Sequence, residues 1–224
     1  MCRNHCTNSH RKYAYIIAYV GSIGNSSLEV VACAIDNTGL LSSLETVSAG
    51  PMSTEDHASY AIDPTGKNFF ILKREAKNIY HYRIDPLTGL FAGSPEIIAA
   101  SDIPVSISFH PSGQMAYVLT SAAYVLNPAG INLYSIDPSS QAMTFVKKID
   151  IKYAPSITEI RTLPRDIIVD PSGKFVYALL DSYDLLAPTP GKIFVYAIDA
   201  TGDLTKINET STTDYPQAMV LWGK

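Results

Sequence analysis

The sequence predicts an all-β fold, a β-propeller of four-stranded antiparallel blades, and three observations predict it. A turn motif recurs: Asp63-Pro64-Thr65-Gly66-Lys67, His110-Pro111-Ser112-Gly113-Gln114 and Asp170-Pro171-Ser172-Gly173-Lys174. Each precedes an apolar run, Asn68 to Leu72, Met115 to Leu119 and Phe175 to Leu179. Pro and Gly in a short connector between two β-rich runs read as a hairpin turn. A second motif keeps step with the first. Val30 to Asp36, Ile79 to Asp85, Ile131 to Asp137 and Ile193 to Asp199 alternate alike and end Ile-Asp, with Cys33, Tyr82, Tyr134 and Tyr196 two residues before the Ile, so one face repeats the same column. Finally, Pro64, Pro111 and Pro171 stand 47 and 60 residues apart, the length of a four-stranded blade and too long for most helical repeats.

Naming the strands A to D, the Asp-Pro-Ser-Gly turn joins A to B and the Ile-Asp turn joins C to D. Residues 1–11 form a frayed segment, and the propeller occupies residues 12–224. Lys12 to Ile17 aligns with Lys67 to Leu72 and Lys174 to Leu179, so the chain starts at a B strand. Its C strand is Val30 to Asp36, the turn is Asn37-Thr38-Gly39, and Leu44 to Ser48 is its D strand. Full units follow from Ala58 to Ala100, Val105 to Ile151 and Arg165 to Asn208, with D strands at Pro95 to Ala99, Phe145 to Ile151 and Leu204 to Asn208. Pro216 to Trp222 aligns with Pro164 to Asp170 and is expected as an A strand that completes the first blade, a device that removes a free sheet edge. The total is sixteen strands in four blades. Three states stay open at this point: a ring closed by the terminal strands, a homodimer whose halves pair into eight blades, and an incomplete piece of a larger ring.

Composition narrows the functional classes. With 46% hydrophobic and 17% charged residues the chain is globular in type. Seventeen basic against twenty-one acidic side chains, a net charge of −4 without a block of like charge, argue against a nucleic-acid partner. No run reaches the ~18 apolar residues of a membrane span. Residues 1–12 are polar without an apolar h-region, which as written gives a cytoplasmic expectation; a start further upstream would allow a periplasmic or secreted protein. Three cysteines do not close a disulfide framework. Cys2, Cys6 and His10 beside His5 have a suggestive spacing, yet no turn residue folds them inward and structural zinc takes four ligands. No metal and no cofactor are expected. Cys33 is expected in the core.

Because successive strands alternate direction, A–B and C–D turns share one face, and B–C and D–A loops share the other. The second set is long and varied, at 21–27, 53–57, 74–77, 121–130, 152–164, 181–191 and 211–216, and such loops carry binding residues. Polar groups there are Glu55, Asp56 and His57, then Asp102, then Glu159, Arg161, Arg165 and Asp166, then Asp214 and Tyr215. His57 takes the place of Pro104, Pro164 and Pro216 in the other repeats, exchanging a turn proline for a titratable ring. His57 and Glu159 are the candidate catalytic pair. Arg161, Arg165, Asp166, Asp102, Asp214 and Tyr215 are the candidate substrate-binding set. The plainer alternatives are a strand-initiating His57 and a surface ion cluster around Arg165. His110, on the opposite face, reads as a turn residue. Nucleophile-elbow, phosphate-loop and zinc-helix signatures are missing from the sequence.

Tyr-x-Ile-Asp-x2-Thr-Gly followed by Pro-x5-Asp-Pro-Ser-Gly-Lys-Phe-x-Tyr resembles the bacterial lactonase-type β-propellers, whose best-known members are 6-phosphogluconolactonases, and the related Tyr-Val-Thr-Asn repeat propellers. The resemblance runs from Lys12 to Trp222. Leu163-Pro164-Arg165 is similar to the family's strand-A head, which commonly continues with His where this chain has Asp166; Leu180-Asp181 stands where the family tends to show Asn-Glu. The familiar enzymes have seven blades. Fold is the specific implication, since such repeats serve enzymes, binding propellers and surface proteins alike. The expected function is a scaffold binding a small molecule or protein on the long-loop face, with Tyr124, Tyr153, Tyr183 and Tyr215 as a candidate aromatic rim. The alternative is sugar-lactone hydrolysis, with Arg161 and Arg165 holding an anionic substrate and His57 or Glu159 helping to activate water.

Overall fold

The computed structural model describes residues 12–22, 25–52, 58–121, 129–152, 161–183 and 189–221. They form fifteen strands and no helix, so among the described residues no helix is long and apolar enough to cross a membrane. The first sheet holds β1 (Tyr13–Ser22), β2 (Asn25–Ile35) and β3 (Leu41–Met52); the second β4 (Ala58–Ile62), β5 (Asn68–Lys73), β6 (Asn78–Arg83) and β7 (Glu96–Ala99). The third holds β8 (Ile103–Phe109), β9 (Met115–Ser121), β10 (Gly130–Ile136) and β11 (Met143–Asp150), and the fourth β12 (Arg161–Val169), β13 (Phe175–Tyr183), β14 (Thr189–Ile198) and β15 (Leu204–Asp214). Neighbours in each sheet are consecutive and antiparallel. β8 lies beside both β4 and β12, so these edge strands line the inner side of the arc.

The recurring aspartates explain the recurring turns. Asp36, Asp85, Asp137 and Asp199 each accept a hydrogen bond from the backbone N–H two residues on, at Thr38, Leu87, Ser139 and Thr201, over 2.7–2.9 Å, the Asx-turn device. Such bonds hold these carboxyls below the usual range, led by the Thr38 hydroxyl at Asp36, the Leu87 N–H at Asp85, the Ser140 N–H at Asp137 and the Thr201 hydroxyl at Asp199. In the A–B turns Asp170 accepts from Ser172. Where the third sheet has His110 instead, Nδ1 takes the Ser112 N–H at 3.2 Å. His110 is therefore a turn residue, and its Nε2 also lies 3.2 Å from the Gly173 carbonyl of the next sheet.

Alternation along every strand gives each sheet two apolar faces, and three buried clusters result. Leu28, Val30, Phe69, Ile71 and Tyr82 join the first two sheets. Phe70, Leu72, Val118 and Tyr134 join the second and third. Leu119, Ile131, Val176 and Phe194 join the third and fourth. Cys33 is buried in the first sheet, as expected. Hydrogen bonds fix the spacing between sheets: the Tyr15 hydroxyl donates to the Gly89 carbonyl at 2.8 Å, and Tyr117, at the same repeat position, to Gly202 at 2.9 Å. Burial, with Asp199 and Asp203 nearby, pushes the Tyr117 phenol above its ordinary pKa. Tyr117→Phe leaves the Gly202 carbonyl without this donor. It is expected to lower unfolding free energy by about 1 kcal/mol, read as a shift of the urea midpoint at constant m.

Two expectations change. Pro216 to Trp222 does not complete the first sheet, which has three strands; residues 216–221 form no strand and Trp222 lies outside the described residues. The cause is β15, which extends to Asp214 opposite Pro190 instead of stopping near Asn208, after which Tyr215, at φ 53, turns the chain. Pro216 then sits against Gly191, and the Met219 N–H reaches Asp166 on the innermost strand of the fourth sheet. The count among the described residues is fifteen strands in four sheets. The described parts of the segments expected as loops at 21–27, 181–191 and 211–216 are also largely strand, since ladder pairs such as Gly21↔Ser26 and Ser22↔Asn25 carry the hairpin onward through small polar residues. A backbone ladder needs no apolar side chain to continue.

A candidate anion site at the axis

The head of β12 carries the most concentrated polar chemistry on the axis. Pairing of β12 with β13 shifts register between Pro164 and Asp166, and β8 shifts in the same way between Pro104 and Ser106. Arg165 and Val105 are thus equivalent bulge residues beside the turn proline, and a bulge re-aims the side chain it carries. A second irregularity on β13, between Leu180 and Ser182, falls at Asp181. The two bulges bring Arg165 Nη2 to 2.7 Å from Asp181 Oδ2, with Asp181 fully buried and the Arg165 side chain 29% exposed. The pair is one-sided. Arg165 Nε and Asp181 Oδ1 are buried and lack a hydrogen-bond partner among the described residues.

Asp166 points to the neighbouring sheet. Its Oδ1 accepts from the Ser106 hydroxyl at 3.0 Å and from the Ile167 N–H at 3.1 Å, and Oδ2 accepts from the Met219 N–H at 3.1 Å. One turn of the pleat further on, the Ser108 hydroxyl accepts from the Val169 N–H at 2.9 Å. Asp166 therefore joins β8, β12 and the C-terminal segment. Arg165 and Asp166 were expected from the sequence; Asp181, Ser106 and the Met219 backbone were not in the expected set. The signal for Asp181 was its place at the family's Asn-Glu position, while Ser106 had no signal, a serine on an alternating strand being ordinary.

Other candidates do not join this cluster. Asp102 pairs with Lys148 Nζ at 2.9 Å, and Lys148 belongs to β11, the outermost strand of its sheet. Asp214 ends β15, also outermost, and Tyr215 follows it, 47% exposed. Arg161 begins β12 opposite Tyr183; the side chains of both, and all of Glu55, Asp56, His57, Tyr124, Tyr153 and Glu159, lie outside the described residues, as do Cys2, His5, Cys6 and His10. A further polar residue at this end, Lys73, is 2% exposed, donates to the Pro51 carbonyl at 3.1 Å and lies 4.8 Å from the Tyr80 ring centre. Among the described residues no three His, Cys, Asp or Glu side chains are placed to hold a metal ion.

Comparison with known proteins agrees with this architecture. No curated protein sequence matches the chain. In solved structures, a protein from Lactobacillus plantarum is 19% identical with a TM-score of 0.65, over 92% of this chain and 57% of that one. A protein from Bacteroides fragilis, provisionally assigned as a 6-phosphogluconolactonase, is 15% identical with a TM-score of 0.63, over 91% and 59%. The periplasmic gluconolactonase of Pseudomonas aeruginosa is 17% identical with a TM-score of 0.63, over 89% and 54%. The chain thus spans under three-fifths of the length of these structures, and at such identities they speak to fold alone. The model of the family described as lactonase, seven-bladed β-propeller, matches residues 3–157, more than half of the sequence, and the chain belongs to that family.

Proposed function

We propose that this chain is a ligand-binding propeller module that takes a small anionic molecule, a sugar acid or its phosphate, beside Arg165. The observation that carries the reading is the one-sided Arg165–Asp181 pair. A guanidinium has five N–H donors in a planar fork, and Asp181 both fixes its orientation and leaves donors over. A partly exposed, pre-oriented guanidinium suits a carboxylate or phosphate, which accepts two parallel hydrogen bonds. Ser106 and the carboxylate of Asp166 are neutral and anionic groups suited to sugar hydroxyls. On this reading Arg161 adds a second cation, and Asp102, Asp214 and Tyr215 belong to the outer rim, where a protein partner would meet the long-loop face.

Family membership favours a second reading, hydrolysis of a sugar lactone by the same site. Arg165 would stabilise negative charge developing on the carbonyl oxygen, and His57 or Glu159 would take a proton from the attacking water. Both readings meet in one experiment. Calorimetric titration with gluconate and 6-phosphogluconate is expected to show binding that Arg165→Lys weakens at least about tenfold, since lysine cannot reproduce the fork. Absence of binding at millimolar ligand overturns the proposal. Lactone loss above the spontaneous rate, abolished by His57→Ala, supports hydrolysis, whereas binding without excess rate assigns the site to recognition alone.

A further inference from the structure

Arg165 and Asp181 each leave one polar atom unsatisfied, and the two atoms are of opposite kind. Asp181 Oδ1 is an acceptor short of a donor, and Arg165 Nε is a donor short of an acceptor. Oδ1 shares its carboxyl carbon with Oδ2, and Nε shares the guanidinium carbon with Nη2; these two partners are joined at 2.7 Å. The unfilled acceptor and the unfilled donor therefore belong to one ion pair and lie a few atoms apart.

The fold does not impose this arrangement. The third sheet makes the same ladder, with the same shift of register beside its turn proline, and there the corresponding positions hold Val105 and Ser121. A charged pair that stands where an apolar residue and a serine also serve, and whose buried atoms are left half satisfied, is the kind of departure that collects at functional sites. The neighbouring carboxylate does not share the defect. Asp166 accepts from the Ser106 hydroxyl and from the N–H groups of Ile167 and Met219.

What completes the pair must offer an acceptor to Arg165 and a donor to Asp181 from neighbouring atoms. A phosphate monoester near neutral pH has acceptor oxygens and little else, and it would set them against the Asp181 carboxylate. A carboxylate with a hydroxyl on the adjacent carbon offers both kinds. Asp181 is fully buried and the Arg165 side chain is 29% exposed, so a ligand arrives across the guanidinium and its hydroxyl goes deepest. Resting on the reading of Arg165 as an anion site, we propose that Arg165 and Asp181 together recognise an α-hydroxycarboxylate. The carboxyl end of a sugar acid enters with its C2 hydroxyl donating to Asp181 Oδ1, and a phosphate at the far end stays outside. In a lactone the ring carbonyl and the C2 hydroxyl take the same two places.

Calorimetric titration of the 224-residue chain with ligands that differ in one group tests this. Gluconate is expected to bind. 2-Deoxygluconate keeps the charge and lacks the donor, and 2-ketogluconate puts an acceptor in its place; both should bind at least about tenfold more weakly than gluconate. Glucose 6-phosphate, which has no carboxylate, should also fall below gluconate. Asp181→Asn gives a second readout, because its amide can turn N–H donors toward the ligand. In that variant the preference for gluconate over 2-ketogluconate should shrink or invert. The ligand series decides the matter even where the variant does not fold. Equal binding of gluconate and 2-deoxygluconate, or tighter binding of glucose 6-phosphate, overturns this proposal and leaves the anion reading standing, water then completing the pair. Absence of binding by every ligand at millimolar concentration overturns both.

Discussion

Arg165→Ala is expected to lower the unfolding free energy by about 2–4 kcal/mol, far more than the loss of a surface arginine. Its partner is the reason. Asp181 is fully buried, and removing the guanidinium leaves a carboxylate with no compensating charge in a place water does not reach. Breaking a buried pair from one side typically costs 3–5 kcal/mol; the 29% exposure of the Arg165 side chain admits some water and brings the figure down. The same structure supplies the rescue. At the equivalent bulge of the third sheet stand Val105 and, at the end of the paired strand, Ser121. The double variant Arg165→Val, Asp181→Ser rebuilds that arrangement and is expected to recover most of the loss. Urea unfolding checks the stabilities, and calorimetry with 6-phosphogluconate separates the roles, because the double variant should fold well and bind at least about tenfold more weakly. An Arg165→Ala cost within about 0.5 kcal/mol, the range of an ordinary surface change, would show that Asp181 is not held as a buried ion.

The architecture was legible because its causes are local and repeated. Each Ile-Asp turn carries its own acceptor, so Asp36, Asp85, Asp137 and Asp199 announce a reversal wherever they fall, and the period-2 columns around them set which side chains face which sheet. The strand count failed by one at the C-terminus for a complementary reason. Pro216 to Trp222 looks like Pro164 to Asp170 residue by residue, but whether such a run joins a sheet depends on where the preceding strand leaves it. β15 continues six residues past Asn208, a length no side-chain pattern encodes, and the segment arrives at Asp166. The site was half legible. Arg165 and Asp166 stood out as charges beside a turn proline. Asp181 and Ser106 became relevant only through two bulges and a neighbouring sheet, and Asp102 left the set because Lys148, forty-six residues away in sequence, draws it to the outer strand.

The junction between the second and third sheets also escaped the sequence, and there Asn68→Ala should cost about 2–4 kcal/mol, with a changed response to acid. At this junction Phe70 replaces the tyrosine and Gln141, at φ 60, replaces the turn glycine. A directed chain of polar groups fills the gap. Gln141 Nε2 donates to the Pro138 carbonyl at 2.6 Å, which aims Oε1 at Asn68 Nδ2, 2.7 Å away. Asn68 Oδ1 is thereby turned to His81, whose Nε2 at 2.7 Å must be the protonated nitrogen. His81 Nδ1, 3.5 Å from Glu96, is the unprotonated one, and the ring stacks on Phe70 at 4.6 Å. Removing the fully buried Asn68 orphans the His81 N–H outright and the Gln141 carbonyl in part, at about 1–3 kcal/mol for a fully buried group. Burial lowers the His81 pKa, with Glu96 opposing it. A lowered folded value means that the unfolded chain takes up the proton first, so the His81 contribution is complete above the ordinary value of about 6.5 and is lost as pH falls through the folded one. The turn aspartates lose their contribution only below about pH 4. Urea midpoints for the parent chain should therefore fall between about pH 6.5 and 5, and His81→Leu, which copies Leu133 of the third sheet, should flatten that limb. In Asn68→Ala the protonated ring loses an acceptor at Nε2 that serves it more than the neutral ring, so the acid limb should run on to lower pH. A parent curve flat above pH 5, or an unchanged one in His81→Leu, would place the acid sensitivity elsewhere.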